Sequence, residues 1–295
     1  MTARPAPAPA AGFPAGTMVL ARHGIIPIED IAAGDLVFTH LRRWRPVTRT
    51  ATMAAATVQV GCATLASGLL ATSGQAFLTR MTPTLLPGPG TRMSPSAWTE
   101  VAAMTDVHRL ATPVDFGQEL AMPEPPASLS GQDPAEVLGM VGQMIRLKGS
   151  KAVEVCPDLV DWITEHFGPY GAGRRFPAWA LTMPEELRLA LLLALVDGTG
   201  RDALAIRMAS KRFMVGVRML ACSLGFAAGL SDAAKAGKPA WLSSWRREGG
   251  RRADYDGYRW HSALRVELGP QVQLFALAVS EDRSHTVDGF TVQSL

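Results

Sequence analysis

The hydrophobic periodicity of the chain changes twice, and this change constrains the fold more than any other feature. Over residues 13–79, short runs of β-branched and apolar residues are interrupted by Gly, Pro and Asp, which is typical of strands and tight turns. Over residues 134–224, apolar residues recur mainly at helical spacing. Strand-like runs return at residues 201–208 and 239–245, between and after the last helical segments, and continue from residue 258. The pattern predicts an α+β fold, in which a β-rich domain is split in sequence by an inserted α/β domain.

Individual elements follow from the same pattern. Strands are expected at residues 18–21, 36–39, 57–60, 77–79, 201–208, 239–245, 258–268, 272–279 and 286–292, with one turn of helix within 27–35. Helices are expected at residues 134–147, 158–167, 184–196 and 211–224. Asp133 and Thr182 are the expected N-caps of the first and third helices, because short oxygen-bearing side chains accept the free N–H groups of a first turn.

Composition excludes several classes of protein. The chain has 295 residues, of which 47% are hydrophobic and 19% charged, so it can bury a sizeable core and is not disordered. Its three cysteines are far apart, which argues against a disulfide framework or a structural zinc site and favours a reducing compartment. Residues 1–11 are rich in Pro and Ala, are expected to form a flexible arm and lack the apolar core of a signal peptide. The apolar stretch 187–196 is too short to span a bilayer. We expect a cytoplasmic protein, or a component of an assembly built in the cytoplasm.

Four ordered blocks resemble those of inteins, whose domain is called Hint. Residues 13–20 (FPAGTMVL) and 24–39 (GIIPIEDIAAGDLVFT) resemble the first block, and residues 70–80 (LATSGQAFLTR) resemble the T-x-x-H-x-F-L-T block. Residues 98–113 are similar to the end of the N-terminal half, and residues 277–295 to the paired C-terminal blocks. The resemblance implies a horseshoe-like β-rich Hint domain made of residues 12–115 and 253–295.

The segment between the two Hint parts carries a second resemblance. Residues 192–200 (LLALVDGTG) look like the LAGLIDADG motif of homing endonucleases, and residues 141–149 (VGQMIRLKG) are a weaker match. The resemblance implies an endonuclease-like insert at 134–252, joined through a linker at 116–133. In that family the two motif helices pack through small residues, and each delivers an acidic side chain to a shared divalent metal.

The positions that the intein family uses for splicing hold other residues here. The first nucleophile corresponds to Gly12, which has no side chain, and the block histidine to Gln75, which cannot exchange protons near neutral pH. Thr72 of the same block is retained. The remaining family positions are occupied by Arg283, with His285 two residues later, and by Gln293, Ser294 and Leu295. We therefore expect neither splicing nor self-cleavage.

The nuclease positions are changed in the same way. Arg146 and Asp197 stand at the first acidic position of each motif, and Lys148 and Thr199 at the metal-binding second one. An ammonium group at a cation site opposes metal binding. No metal and no cofactor are expected.

DNA binding could outlast cleavage, because residues 201–252 have a net charge of +8 although the whole chain has only +3. Trp241 and Trp245 in this segment are expected to pack under a sheet, and Arg218 adds to its charge. The candidate DNA-binding residues are Arg201, Arg207, Lys211, Arg212, Arg246, Arg247, Arg251 and Arg252.

Three functions remain open at this stage. The first is an inactive intein-derived protein that serves as a structural or binding module, for example in a phage particle or packaging complex. We expect such a protein to stand alone, because only eleven residues precede the first block. The second is a DNA-binding protein descended from an intein-encoded homing endonuclease, and the third is an engineered inactive intein. The expected partner is another protein or duplex DNA, with no membrane, and the chain is not expected to be an enzyme.

Overall fold

The computed structural model describes residues 11–82, 93–117, 120–146, 156–196, 204–247 and 254–295. The fold is rich in β-structure and has few helices. Contacts divide it into two compact units. We call the first, which comprises Met1–Val19, Pro27–Thr112 and Trp260–Leu295, the β unit. The second, which comprises Leu20–Ile26 and Pro113–Arg259, is the mixed unit.

The elements are numbered in chain order. The strands are β1 (Phe13–Pro14), β2 (Met18–Ala21), β3 (Gly24–Pro27), β4 (Leu36–Phe38), β5 (Trp44–Cys62), β6 (Leu65–Ala71), β7 (Ala76–Met81), β8 (Ala97–Glu100), β9 (His108–Pro113), β10 (Leu204–Met208), β11 (Phe226–Asp232), β12 (Trp241–Arg247), β13 (Asp254–Tyr255), β14 (Tyr258–Val279), β15 (Ser284–Val287) and β16 (Phe290–Gln293). The helices are α1 (Pro134–Arg146), α2 (Pro157–Phe167), α3 (Trp179–Thr182), α4 (Glu185–Leu195) and α5 (Lys211–Ser223).

The β unit is organised around two long antiparallel strands, β5 and β14. Their register runs from Val47 opposite Val279 to Cys62 opposite Ala263, with shifts at irregular positions. From β14 the strand order continues through β9, β7, β16, β15, β2 and β4 and returns to β5. This path brings the N-terminal strands β1 and β2 beside C-terminal strands, since Phe13 pairs with Phe275 and Val19 with Val287. The side chains that face inward, such as Val19 and Phe77, are fully buried.

The mixed unit combines a helical layer with a small antiparallel sheet in the order β10-β12-β11. Helix α5 begins after Ser210, whose side-chain oxygen accepts a hydrogen bond from the N–H of Phe213. One side of the sheet is buried, with Trp245 2% exposed and Ser243 fully covered. Among the described residues, no helix is both long and apolar enough to cross a membrane.

Several sequence-based expectations need correction. The runs 258–268 and 272–279 are one strand, β14, because a long strand can bend at bulges without ending. The run 286–292 is a hairpin of β15 and β16, turned at Asp288 and Gly289, which have φ of 44° and 81°. Asp-Gly supplies the two positive φ values that a two-residue hairpin turn requires.

The prediction that Thr182 caps the start of α4 is also wrong. Thr182 ends the preceding helix α3, and its hydroxyl donates to the carbonyl oxygens of Trp179 and Leu120. Helix α4 begins instead after Pro184, and no side-chain hydrogen bond caps it. Pro184 lacks an N–H and has an extended ψ of 151°, so it suits a position just before the first turn.

Candidate functional site

The residues at the intein-like splicing positions lie together in the β unit, around the turn that precedes β7 and the end of β16. The N–H of Thr72 donates to the carbonyl oxygen of Gly12 at 3.3 Å. Three residues later, the side-chain amide of Gln75 donates to the carbonyl oxygen of Gln293 at 2.9 Å. The segment from Thr72 to Gln75 therefore contacts both the N-terminal and the C-terminal positions.

Gly12 lies against β14. A Cβ added at this position would lie 3.0 Å from the carbonyl oxygen of Phe275 and 3.4 Å from the Cβ of Leu274. These distances are tight for a side chain, so the neighbouring strand would have to move by a few tenths of an ångström. Gly12 itself provides no group that could attack a peptide bond or accept a proton.

Gln75 is buried, with 2% of its surface exposed. Its Nε2 donates to the carbonyl oxygens of Ala76, at 3.0 Å, and Gln293, at 2.9 Å, so both amide hydrogens have partners. The neighbouring Thr72 is also buried, and its hydroxyl has no hydrogen-bond partner among the described residues. Gln75 is therefore held as a fixed hydrogen-bond donor to a carbonyl of the C-terminal segment.

His285 occupies the buried position beside the chain end, whereas the side chain of Arg283 is exposed. The Nδ1 of His285 lies 2.9 Å from the hydroxyl oxygen of Ser294. Phe13 packs edge-on against the imidazole, with ring centroids 6.4 Å apart. Complete burial lowers the pKa of His285 to about 3, because an imidazolium would lose its hydration there. The imidazole is consequently neutral at physiological pH.

Backbone hydrogen bonds hold the last two residues. The N–H of Ser294 donates to the carbonyl oxygen of Arg283, and that of Leu295 to the carbonyl oxygen of Leu277, both at 2.9 Å. Ser294 is half-buried, whereas Gln293 and Leu295 are exposed. Arg283 precedes β15 and has a φ of 48°, so strand alternation does not extend to it. The sequence offered both residues for this position, and the pairing of β15 with β16 decides that His285 contacts Ser294.

The nuclease-like positions lie in the mixed unit. Helices α1 and α4 approach so closely at Gly142 that an added Cβ would lie 2.5 Å from the Cβ of Ala194. At the end of α1, the guanidinium of Arg146 donates to the carbonyl oxygen of Val196 at 2.7 Å. Lys148, Asp197 and Thr199 lie outside the described residues. Among the residues that are described, no group of three or more His, Cys, Asp or Glu side chains could hold a metal ion.

The candidate DNA-binding residues are in several environments. Arg207 and Arg246 are exposed on the sheet, and the ammonium of Lys211 lies 5.6 Å from the ring centroid of Trp241. Arg212 donates to the carbonyl oxygens of Gly173 and Arg174. Arg218 is fully buried and is unavailable to an external partner. Arg201, Arg251 and Arg252 lie outside the described residues, as does the side chain of Arg247.

One face of the three-stranded sheet carries both exposed arginines. Ala205 pairs with Ser244, Arg207 with Leu242, and Ala227 with Arg246. Side chains alternate along a strand, so these residues lie on the face opposite Trp245. The face is therefore lined by small side chains, one leucine and two guanidinium groups.

Comparisons with known proteins found similarities among solved structures but none in sequence. No family model and no curated protein matches it. Among solved structures it is similar to a DnaB intein from Synechocystis, with 7% identity, a TM-score of 0.39 and coverage of 97% of this chain and 99% of that chain. It is similar to the gp41-1 intein with 8% identity, a TM-score of 0.36 and coverage of 97% and 99%.

A bacterial intein-like domain from Clostridium thermocellum is also similar, with 9% identity, a TM-score of 0.34 and coverage of 96% of this chain and 98% of that domain. These structural neighbours are inteins or intein-like domains, and the likeness extends over almost the whole chain. Such low identities and TM-scores leave the contacts within this chain as the basis for a functional assignment.

Proposed function

We propose that the chain is an intein-like protein that does not splice and that serves as a structural or binding module. The observation that carries the proposal is the hydrogen bond from Gln75 to the carbonyl oxygen of Gln293. At this position the family's chemistry needs a group that transfers protons, and a carboxamide can only donate a fixed hydrogen bond near neutral pH.

The amino-terminal junction supports the same conclusion. Splicing begins with attack by a thiol or hydroxyl at the position of Gly12, and this residue has neither. The carbonyl oxygen of Gly12 accepts from the Thr72 N–H at 3.3 Å, and Thr72 is buried. The geometry at this junction orients the backbone without supplying a nucleophile.

A fusion protein tests this proposal. The chain is placed between two folded tags, and the products are separated by mass after prolonged incubation with and without thiol. We expect no ligated tag-to-tag product and no cleavage before Gly12. A ligated product would contradict the proposal, because ligation requires attack at both ends.

We further propose that the mixed unit is a LAGLIDADG-type insert that no longer cleaves DNA. The close approach of Gly142 to Ala194 supports this, because the resemblance implies that the two motif helices pack through small residues. Arg146 stands at a position where the resemblance implies an acidic residue, and its guanidinium bonds to Val196. A fixed cation near the helix ends opposes binding of a divalent metal ion.

DNA binding is the second candidate function, favoured by the exposed sheet face that carries Arg207 and Arg246. Guanidinium groups on an open surface can contact phosphates, which gives affinity with little dependence on sequence. We expect weak binding to duplex DNA at low salt, lost steeply as salt is added.

A charge-matched pair of double variants tests this second candidate. Replacing Arg207 and Arg246 by Ala should weaken binding and reduce the slope of log K against log salt by about 2. Replacing Arg22 and Arg49, which are exposed and lie outside the β10-β12-β11 sheet, removes the same charge from other surfaces and should change little. If duplex binding is absent at low salt, or if both pairs act equally, the sheet face is not a DNA-binding surface.

A further inference from the structure

We propose that the peptide bond between Gln293 and Ser294 undergoes a slow N-to-O acyl shift, with Ser294 as nucleophile, His285 as base and Gln75 as donor to the carbonyl oxygen. This goes beyond the proposed function, which concerns splicing and the amino-terminal junction. The sequence analysis predicts that the chain does not cleave itself, and this proposal departs from that prediction at the Gln293–Ser294 bond alone.

The nucleophile and its base are in contact. The Nδ1 of His285 lies 2.9 Å from the hydroxyl oxygen of Ser294, within the distance at which an imidazole takes a proton from a hydroxyl. An imidazole protonated on Nε2 accepts this hydroxyl hydrogen at Nδ1. The ring of Phe13 packs edge-on against the imidazole and helps to hold its orientation.

The imidazole of His285 is a weak base in this environment, and we therefore expect the acyl shift to be slow. The Nε2 of His285 is buried and has no hydrogen-bond partner among the described residues. No carboxylate is therefore available there to stabilise an imidazolium, as the third member of a catalytic triad does. The geometry permits proton transfer, but the shift should be slow.

The carbonyl that Ser294 would attack is already polarised. The Nε2 of Gln75 donates to the carbonyl oxygen of Gln293 at 2.9 Å, which is the contact that stabilises negative charge on this oxygen during attack. A second hydrogen bond, to the carbonyl oxygen of Ala76, fixes the amide of Gln75. Because the donor is in place before the reaction, little reorganisation is needed.

The step balances without a co-reactant. The Ser294 oxygen forms a bond to the carbonyl carbon of Gln293, and the bond from that carbon to the Ser294 nitrogen breaks. The hydroxyl proton passes to His285 Nδ1 and then to the leaving nitrogen, which becomes an amine. The product is an ester isomer of the same mass, and water can then hydrolyse it to a Gln293 carboxylate and a Ser294-Leu295 dipeptide. Gln293 is an exposed residue, so this end of β16 borders solvent.

Hydroxylamine at neutral pH tests the proposal on the whole chain, because it attacks esters much faster than amides. Mass spectrometry should show a chain that ends in a hydroxamate at Gln293. The sequence has no asparagine, so the known cleavage of Asn-Gly bonds by this reagent cannot contribute. The variant Ser294→Ala should stay intact, and Ser130→Ala, at an exposed serine of the mixed unit, should react like the unmodified chain.

Two further variants keep the test informative without disturbing buried His285. Ser294→Cys should react faster, since a thiol is the better nucleophile and yields a thioester that added thiol captures. Gln75→Met should slow the reaction by about 10²-fold, the usual effect of losing one oxyanion donor. An intact mass for both the unmodified chain and Ser294→Cys would overturn the proposal, as would equal cleavage of Ser294→Ala. Cleavage before Gly12 is a different product and bears only on the proposed function.

Discussion

Gly142 of α1 and Ala194 of α4 lie so close that a methyl group on the glycine would be 2.5 Å from that of the alanine. Two helices can approach to this distance only where one of them lacks a side chain, so this contact fixes the register of α1 against α4. Gly139, one turn earlier in α1, has open space around its added Cβ. The two glycines of one helix therefore offer a matched pair for experiment.

The first prediction concerns this pair. Gly142→Ala should destabilise the protein by about 1–3 kcal/mol, the usual cost of overpacking a close contact. Gly139→Ala should instead stabilise it by up to about 1 kcal/mol, because alanine has the higher helix propensity and meets no neighbour. Urea unfolding of the two variants measures both effects. Equal effects would show that the helices do not approach at Gly142.

The second prediction concerns acid stability. Burial lowers the pKa of His285 to about 3, whereas the unfolded group titrates near 6.5. Between these values the unfolded chain binds a proton that the folded chain does not, so the free energy of unfolding falls as pH falls through this range. His285 alone should contribute a slope of about 1.4 kcal/mol per pH unit.

The slope is measured by urea unfolding between neutral pH and the range where carboxylates begin to titrate. Burial also lowers the pKa of His40 and His166, which gives slopes of the same sign. His285→Gln should therefore flatten the pH dependence more than His166→Gln, at a less buried site. An unchanged slope in His285→Gln would show that this imidazole is accessible to protons in the folded state.

The third prediction concerns the amino-terminal junction. Gly12→Cys introduces a thiol but should remain inert to added thiol, because Gln75 cannot exchange protons. Adding Gln75→His should allow slow, thiol-dependent cleavage before residue 12, detected by mass. Gly12→Ala is the control for the contact with the Phe275 carbonyl oxygen. Cleavage of the single Gly12→Cys variant would show that Gln75 is not the limiting position.

The fourth prediction concerns divalent metal ions. Because the guanidinium of Arg146 bonds to the carbonyl oxygen of Val196 beside the helix ends, Mg²⁺ should not raise the unfolding temperature. Thermal unfolding is compared in EDTA and in Mg²⁺, with a monovalent salt of equal ionic strength as the control. A saturable increase specific to Mg²⁺ would contradict the prediction.

Local sequence signals predicted short-range features well. Strand β2 and helix α5 begin where the periodicity placed them, and Asp133 lies at the start of α1 with its carboxylate 3.4 Å from the N–H of Ala135. The turn at Asp288 and Gly289 was missed, although Asp-Gly is a strong hairpin signal, because apolar residues continue on both sides of it.

In the candidate site, too, the sequence predicts some features and the tertiary structure decides the others. The sequence by itself determined which chemical groups are present: no side chain at residue 12, a carboxamide at residue 75 and a hydroxyl at residue 294. Only the tertiary structure decided that His285 rather than Arg283 faces Ser294, and that Gln75 reaches the carbonyl oxygen of Gln293. The physical reason differs for the two contacts. The first depends on the register of the β15–β16 hairpin. The second joins the turn before β7 to β16, more than two hundred positions away, and the pairing of distant strands depends on packing of the whole unit rather than on local propensity.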